Sequence, residues 1–302
     1  MSELKNKIDF ALVFTVTNAN PNGDPLNNNM PRTDFRGYGE VSDVCLKRKL
    51  RNRLLDLGEN IFVQSDDKRI DDYRSLQARF NACAEIKGKQ GDELIGPVCK
   101  EWYDVRAFGQ VFPFKADSKK KAKKSDTSDG SDEKNSGTSK GIRGPVSIQT
   151  AVSKDVVNIT SMQITKSVNL ETNESNPDQK GRDTMGMKHR VDFGLYTTFG
   201  SINVQQAEKT GFSEEDAEKL KEALLTLFVN DETSARPSGS MEVIKLVWWT
   251  HNCPTGQYSP AKVHRLLKVN RKPGVDNPMS FEDYDIQVDE LPGLACEVLD
   301  GE

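Results

Sequence analysis

Residues 7–17 read KIDFALVFTVT, and this stretch decides the fold. Ile8, Phe10, Leu12, Phe14 and Val16 alternate with Asp9, Ala11, Val13 and Thr15. Period-two alternation among β-forming residues predicts a strand half-buried on one face. The stretch after it, NANPNGDPLNNNMP (18–31), is dominated by Asn, Gly, Pro and Asp and predicts a loop. The period then changes. Ser42 suits an N-cap and Asp43 the positive end of a helix, while Gly58 stops the run as a C′ residue. Leu46, Leu50, Leu54 and Leu57 form one stripe, so the helix is expected to pack on the sheet that contains the first strand.

Working outward, helices are expected over 71–83 and 99–112. Residues 115–140 (KADSKKKAKKSDTSDGSDEKNSGTSK) hold no apolar residue larger than alanine and predict a flexible surface loop. GPVSIQTAVS (144–153) and ITSMQITKSVNL (159–170) read as strands or an extended hairpin. ETNESNPDQKGRDTMGMKHR (171–190) reads as a polar loop and VDFGLYTTFGSINV (191–204) as a strand. Ser213 and Asp216 form an S-x-x-D start for a helix running to about Val229. SARPSGS (234–240) is a loop, MEVIKLVWW (241–249) a strand, and the tail holds the basic KVHRLLKVNRK (262–272) before an acidic end over 276–302. The order strand, helix, strands, helix, strand gives an α+β class. It matches the ferredoxin-like βαββαβ plan, which RNA-recognition domains also use.

Composition bounds the function. Of 302 residues, 35% are hydrophobic and 29% charged, enough for a core beneath a polar surface. The net charge of −4 argues against a uniformly basic nucleic-acid binder, yet residues 32–53 are strongly basic, and partner choice follows the local field. No apolar run is long enough to cross a membrane, and the start has no apolar h-region. Cys45, Cys83, Cys99, Cys253 and Cys296 lack paired spacing, so reduced thiols and a cytoplasmic location are expected.

The chain has no P-loop or dinucleotide fingerprint, and no cofactor is expected. His189, His251 and His264 share no helical face with carboxylates, and His251 with Cys253 is a weak zinc half-site, so no metal is expected. Trp248 and Trp249 read as packing residues. Asp24, Asp34 and Asp43 read as turn and helix-start residues rather than a metal pair. The informative residues are cations. Lys47, Arg48 and Arg51 lie along one flank of the leucine stripe, and Lys49 and Arg53 along the other. Arg32, Arg143 and Arg236 sit in loops whose Gly, Ser and Pro let backbone N–H groups approach an anion, and such loops are expected to cluster at one sheet edge. Met185 and Met187 precede His189 and Arg190, an apolar tip suited to wedging between bases.

Eight runs carry a resemblance: FTVTNANPNGDP (14–25), PRTDFRGYGEVSDVCLKRKLRNRL (31–54), IFVQSDD (61–67), DVRAFGQVF (104–112), GIRGPVSIQ (141–149), QITKSVN (163–169), KHRVDFGLY (188–196) and SARPSGSME (234–242). Together they closely resemble the backbone subunit of the type I-C CRISPR Cascade, the Cas-seven family of the RAMP superfamily, also called Csd-two. The resemblance implies a modified RNA-recognition fold shaped like a hand. Its palm comprises 1–58, 141–154 and 191–250, its inserted helical fingers 59–140, its protruding thumb hairpin 155–190, and its C-terminal extension 251–302. It further implies a non-enzymatic, cytoplasmic protein without membrane contact. That protein binds guide RNA, stacks head to tail with further copies, meets target DNA through pairing to the guide, and joins other Cascade subunits. Candidate RNA contacts within the matching runs are Arg32, Lys47, Arg48, Lys49, Arg51, Arg106, Arg143, Gln149, His189, Arg190, Arg236, Ser238 and Ser240, with Met185 as the wedge. Not all the helix cations can face one groove. The alternative is a RAMP-type endoribonuclease, with His189 as general base in guide processing, or Asp24 or Asp34 with a metal in target cleavage.

Overall fold

In the computed structural model, which describes residues 2–89, 91–113, 139–166, 172–173, 176–180 and 184–301, β1 (Ile8–Ala19) is the axis of the molecule. A small hairpin, β2 (Gly23–Asp24) and β3 (Met30–Pro31), leads to β4 (Tyr38–Val41) and α1 (Asp43–Asp56). An insertion carries α2 (Leu76–Ala82), α3 (Ile95–Glu101), α4 (Tyr103–Phe108) and the hairpin β5 (Gly109–Pro113) with β6 (Ser139–Arg143). The chain returns through β7 (Val146–Ile148), β8 (Ala151–Val156) and β9 (Ile159–Lys166). The short pair β10 (Thr172–Asn173) and β11 (Asn176–Lys180) precedes the long β12 (Thr184–Ile202). Next come α5 (Val204–Thr210), α6 (Glu214–Leu225), β13 (Met241–Thr250), α7 (Pro260–His264), the hairpin β14 (Leu267–Arg271) and β15 (Tyr284–Val288), and β16 (Ala295–Asp300).

The result is a mixed α/β structure around one antiparallel sheet. Its neighbours run β16-β13-β1-β12-β8-β4, with β7 and β9 also paired to β12. The register sets Ile8 opposite Ile202 and Ala19 opposite Val191. Phe10, Leu12, Phe14 and Val16 of β1 meet the stripe Leu46, Leu50 and Leu54 of α1 and the buried Ala217, Leu220 and Leu224 of α6. The expected caps form. The Ser42 hydroxyl accepts from the Cys45 N–H, Gly58 takes φ 91°, and Ser213 with Asp216 makes a full capping box.

The other face of β1 is covered too, contrary to the half-buried expectation. Ala11 and Val13 join Phe193, Leu195, Val247 and Trp249 in a second core, closed by Val263, Leu266, Leu267, Val269 and Tyr284 from the C-terminal segment. Trp248 and Trp249 are both buried, as packing residues. The inserted region has a third core, built on Phe62, Leu94, Val98, Trp102, Phe112 and Ile142.

Several boundaries depart from expectation: the helix from Ser213 ends at Leu225, and the loop over 18–31 holds the end of β1 and the β2–β3 hairpin. Helix 71–83 starts only at Leu76, capped by Ser75, because Asp71 turns back to bind the Arg79 guanidinium. The stretch 99–112 breaks twice. Trp102 is extended, and Gly109 takes φ 81° where a Cβ would lie 2.2 Å from the Ile142 carbonyl oxygen. The polar stretch before Val191 is not loop throughout, because Thr184–Arg190 is the first part of β12, laddered onto β9. The expected flexible loop lies outside the described residues, save Ser139 and Lys140 in β6. Among the described residues no helix is long and apolar enough to cross a membrane.

Candidate nucleic-acid interface

One end of the sheet gathers the exit of β1, the start of α1 and the start of β13. The turn residues of 18–31 are not slack there. Asn20 donates its N–H to the Ala235 carbonyl (2.9 Å) and its side-chain amide to the Asn29 carbonyl (2.7 Å). The Asn22 carboxamide oxygen accepts from the Ser42 N–H and hydroxyl, each at 2.9 Å, and Thr17 N–H donates to the Ser240 carbonyl at 2.8 Å. Asn18, Asn28, Asn29 and Asn230 all take left-handed φ of 48–58°, conformations that asparagine tolerates better than most residues. The loops bearing Arg32 and Arg236 are thereby fixed beside the first turn of α1.

Their cations share carboxylates. Asp231 accepts from both the Lys49 ammonium and Arg236 Nε (2.9 Å). Burial lowers the pKa of Lys49, with Asp231 opposing that shift. One carboxylate thus serves two cations, one of them buried, and the Glu232 carboxylate lies beside them on the rim. The Ser240 hydroxyl, on a residue only 7% exposed, has no hydrogen-bond partner. It lines a small cavity with Asp231, Arg236 and Gly239. A buried, unpartnered hydroxyl beside an arginine suits a hydrogen-bonding oxygen of a ligand. Arg32, paired to Asp24 at 3.2 Å, and the exposed Ser238 border the same edge.

Other cations are committed elsewhere. Arg106 grips Asp216 through two bonds (2.9 and 2.7 Å) and donates to the Cys99 carbonyl at 2.7 Å. Burial alone would lower its pKa, but Asp216 raises it instead. Arg51 binds the buried Asp104 at 2.9 Å and lies over the Phe108 ring. Lys49, Arg51 and Arg106, each expected as a direct RNA contact, are therefore held by carboxylates within the protein. Arg48 is half-buried, with its pKa lowered by burial and by neighbouring Arg51, and donates to the Val63 carbonyl at 2.7 Å. Lys47 pairs with Asp43 one helical turn back at 3.1 Å. The carboxylates that hold Lys49, Arg51 and Arg106 lie 182, 53 and 110 residues away, so no local sequence signal announced them.

Arg143 and the Gln149 side chain are exposed, but not at this edge. The Gln149 N–H bonds Phe199, which lies eight residues along β12 from Val191, about 26 Å at strand rise. The expectation of a single edge is thus corrected to two separated groups. The remaining candidates lie on the arm formed by β9 and the first part of β12. Met185, 67% exposed, sits opposite Thr165. His189 Nδ1 is 2.7 Å from the Ser161 hydroxyl, and Arg190 Nε is 3.6 Å from Asp192. Met162, Ile164 and Met187 are exposed on the same arm. Sequence reading did not single out Met162 or Ile164, although their alternation in ITSMQITK was the available signal.

The carboxylates of the enzymatic alternative hold turns. Asp24 accepts from Leu26 N–H and Arg32 at 3.2 Å each. Asp34 accepts from Arg36 N–H (2.8 Å), Tyr38 N–H (3.0 Å) and Arg36 Nε (2.9 Å). Among the described residues no three His, Cys, Asp or Glu side chains are grouped to hold a metal.

Comparison with known proteins follows this geometry. The chain is 28% identical over 243 residues to "CRISPR-associated protein Cas7" of Haloferax volcanii, spanning 78% of this chain and 67% of that protein. Among solved structures, a chain of a "CRISPR RNA-guided surveillance complex, pre-nicking" aligns with TM-score 0.46 at 13% identity over 80% of this chain and 78% of the other. A chain of a "CRISPR RNA-guided surveillance complex" aligns with TM-score 0.37 at 15% identity over 80% and 68%. A family model described as CRISPR-associated protein Cas7 matches residues 6–289, and by that match the chain belongs to the Cas7 family.

Proposed function

We propose that this Cas7 protein is a non-catalytic, guide-RNA-binding backbone subunit of a type I-C Cascade. It stacks head to tail with further copies along the spacer, presents the guide for pairing with target DNA, and works in the cytoplasm beside other Cascade subunits. The observation that carries this reading is the site at Asp231, where two cations share one carboxylate beside the unpartnered Ser240 hydroxyl. A protein that holds any spacer needs contacts to the RNA backbone, and this is backbone chemistry.

The fold supports the hand-shaped reading. The neighbour order β13-β1-β12-β8 is that of a βαββαβ palm, and the insertion with its own core serves as fingers. The β9–β12 arm serves as thumb, with Met185 as wedge. The sheet face on which RNA-recognition domains stack bases is here filled by the second core. RNA contact therefore falls to the flank of α1, the end of β6, the loops and the arm: Arg32, Lys47, Arg48, Arg143, Gln149, His189, Arg190, Arg236, Ser238 and Ser240. The type I-C assignment rests on the quoted sequence runs. Co-expression with a CRISPR array and the neighbouring Cascade subunits, followed by sequencing of bound RNA, tests the reading. Uniform full-length guides protected at regular intervals are expected, and heterogeneous RNA or none refutes it.

A further inference from the structure

The role of the C-terminal segment is legible at the root of the arm. Beyond Ile159 and Val191 the two arm strands pair only with each other among the described residues, and most of their side chains are exposed. The arm's direction is therefore set where it leaves the sheet. Two aspartates stand there. Asp192 is tied within the arm, accepting from the Asn158 amide (2.5 Å) and the Thr160 hydroxyl (2.9 Å). Asp155, at the end of β8, is held instead by residues more than a hundred positions away. One carboxylate oxygen accepts from the Arg271 guanidinium and the other from the Tyr284 hydroxyl at 2.5 Å.

Arg271 and Tyr284 face each other across the β14–β15 hairpin, and Tyr284 is rooted in the second core. Arg271 also donates to the Asp276 carbonyl at 2.9 Å, which fixes the connection between the two strands. That connection carries Asn277, Pro278 and Met279 over a cleft of about 190 Å³ whose opposite wall is Asn158, Asp192, Phe193 and Gly194. The C-terminal hairpin is thus bonded to the end of β8, three residues before β9 begins, and faces the root of β12 across the cleft. A charge-assisted bond and a short hydroxyl bond on one carboxylate are directional, so they constrain angle as well as distance.

We propose that the C-terminal hairpin is a clamp that sets the angle of the RNA-binding arm, with Asp155, Arg271 and Tyr284 as positioning residues. The consequence for RNA rests on the backbone-subunit reading above, whereas the clamp itself does not. Amide hydrogen exchange on the full-length protein without RNA tests it first. Asp155→Asn is expected to speed exchange in 159–166 and 184–191 about tenfold while leaving β1 and β13 protected. The charge-swapped pair Asp155→Lys with Arg271→Glu is expected to restore protection. Tyr284→Phe removes one oxygen and leaves the ring in its core, so it decides the matter if Asp155→Asn does not fold. Arm exchange equal to wild type in both single variants, equal acceleration across the whole sheet, or a swap that restores nothing overturns the clamp. In the co-expressed complex the single variants are expected to blur the regular protection of the guide. A wild-type chain that binds no guide refutes the backbone reading and leaves the exchange result standing.

Discussion

Along β12, Val191–Ile202 runs between β1 and the β7–β8 edge, with Leu195 and Tyr196 fully buried, whereas Thr184–Arg190 pairs, among the described residues, only with β9 and carries Met185 two-thirds exposed. One continuous ladder serves both halves. The first derives its stability from side-chain burial, and the second holds its form through backbone bonds and its root. A single strand can therefore be divided, with burial at one end and exposed side chains at the other. The cations divide in the same way, since Arg106 is spent inside the protein and Arg143 is not.

That division can be broken or sharpened by measurement. The largest effect is expected for Arg106→Ala, which strands Asp216 in the interior and should cost about 3–5 kcal/mol in urea denaturation. Arg143→Ala should stay within about 0.5 kcal/mol of wild type, and similar losses would erase the distinction. Leu195→Ala should cost about 2–5 kcal/mol by cavity formation, against about 0.5 kcal/mol or less for Met185→Ala on the same strand. At the charged site, Arg236→Ala should weaken RNA binding and reduce the slope of log affinity against log salt by about one unit. An unchanged slope would remove Arg236 from the interface.

The smallest effect is a pH dependence. His264 stacks on Phe199 with ring centroids 4.7 Å apart, and burial lowers its pKa below the ordinary 6.5. The unfolded chain therefore takes up the proton first as pH falls. Stability from this site is whole above pH 6.5 and declines through the window between 6.5 and the lower folded value. His264→Gln should flatten that window in thermal melts across pH.

What the sequence showed and what it hid follow from distance along the chain. The alternation of β1, the Ser42 cap, the Gly58 stop and the Ser213–Asp216 box are local signals, and each appears where expected. The inward turn of Lys49, Arg51 and Arg106 depends on aspartates that only tertiary folding brings near. The arm strand reads as loop in the sequence because residues with two exposed faces need no alternation. The second core was missed because its lid, 251–288, combines one short helix and a hairpin that give little periodic signal on their own. Of the candidate site, Arg32, Arg236, Ser238 and Ser240 were legible because turn chemistry placed arginine and hydroxyls in tight loops. That Arg143, on the β5–β6 hairpin, and Gln149, between β7 and β8, lie away from it was not.

The arm also has a mechanical consequence. The seven residues Thr184–Arg190 extend about 23 Å from the root at the usual strand rise. Such a lever magnifies error, since a tilt of about 5° at its base moves the tip by roughly 2 Å over that length. That displacement approaches the spacing between stacked aromatic planes, so tolerance at the tip is set by rigidity at the fulcrum, where one carboxylate answers to two side chains from the far end of the chain.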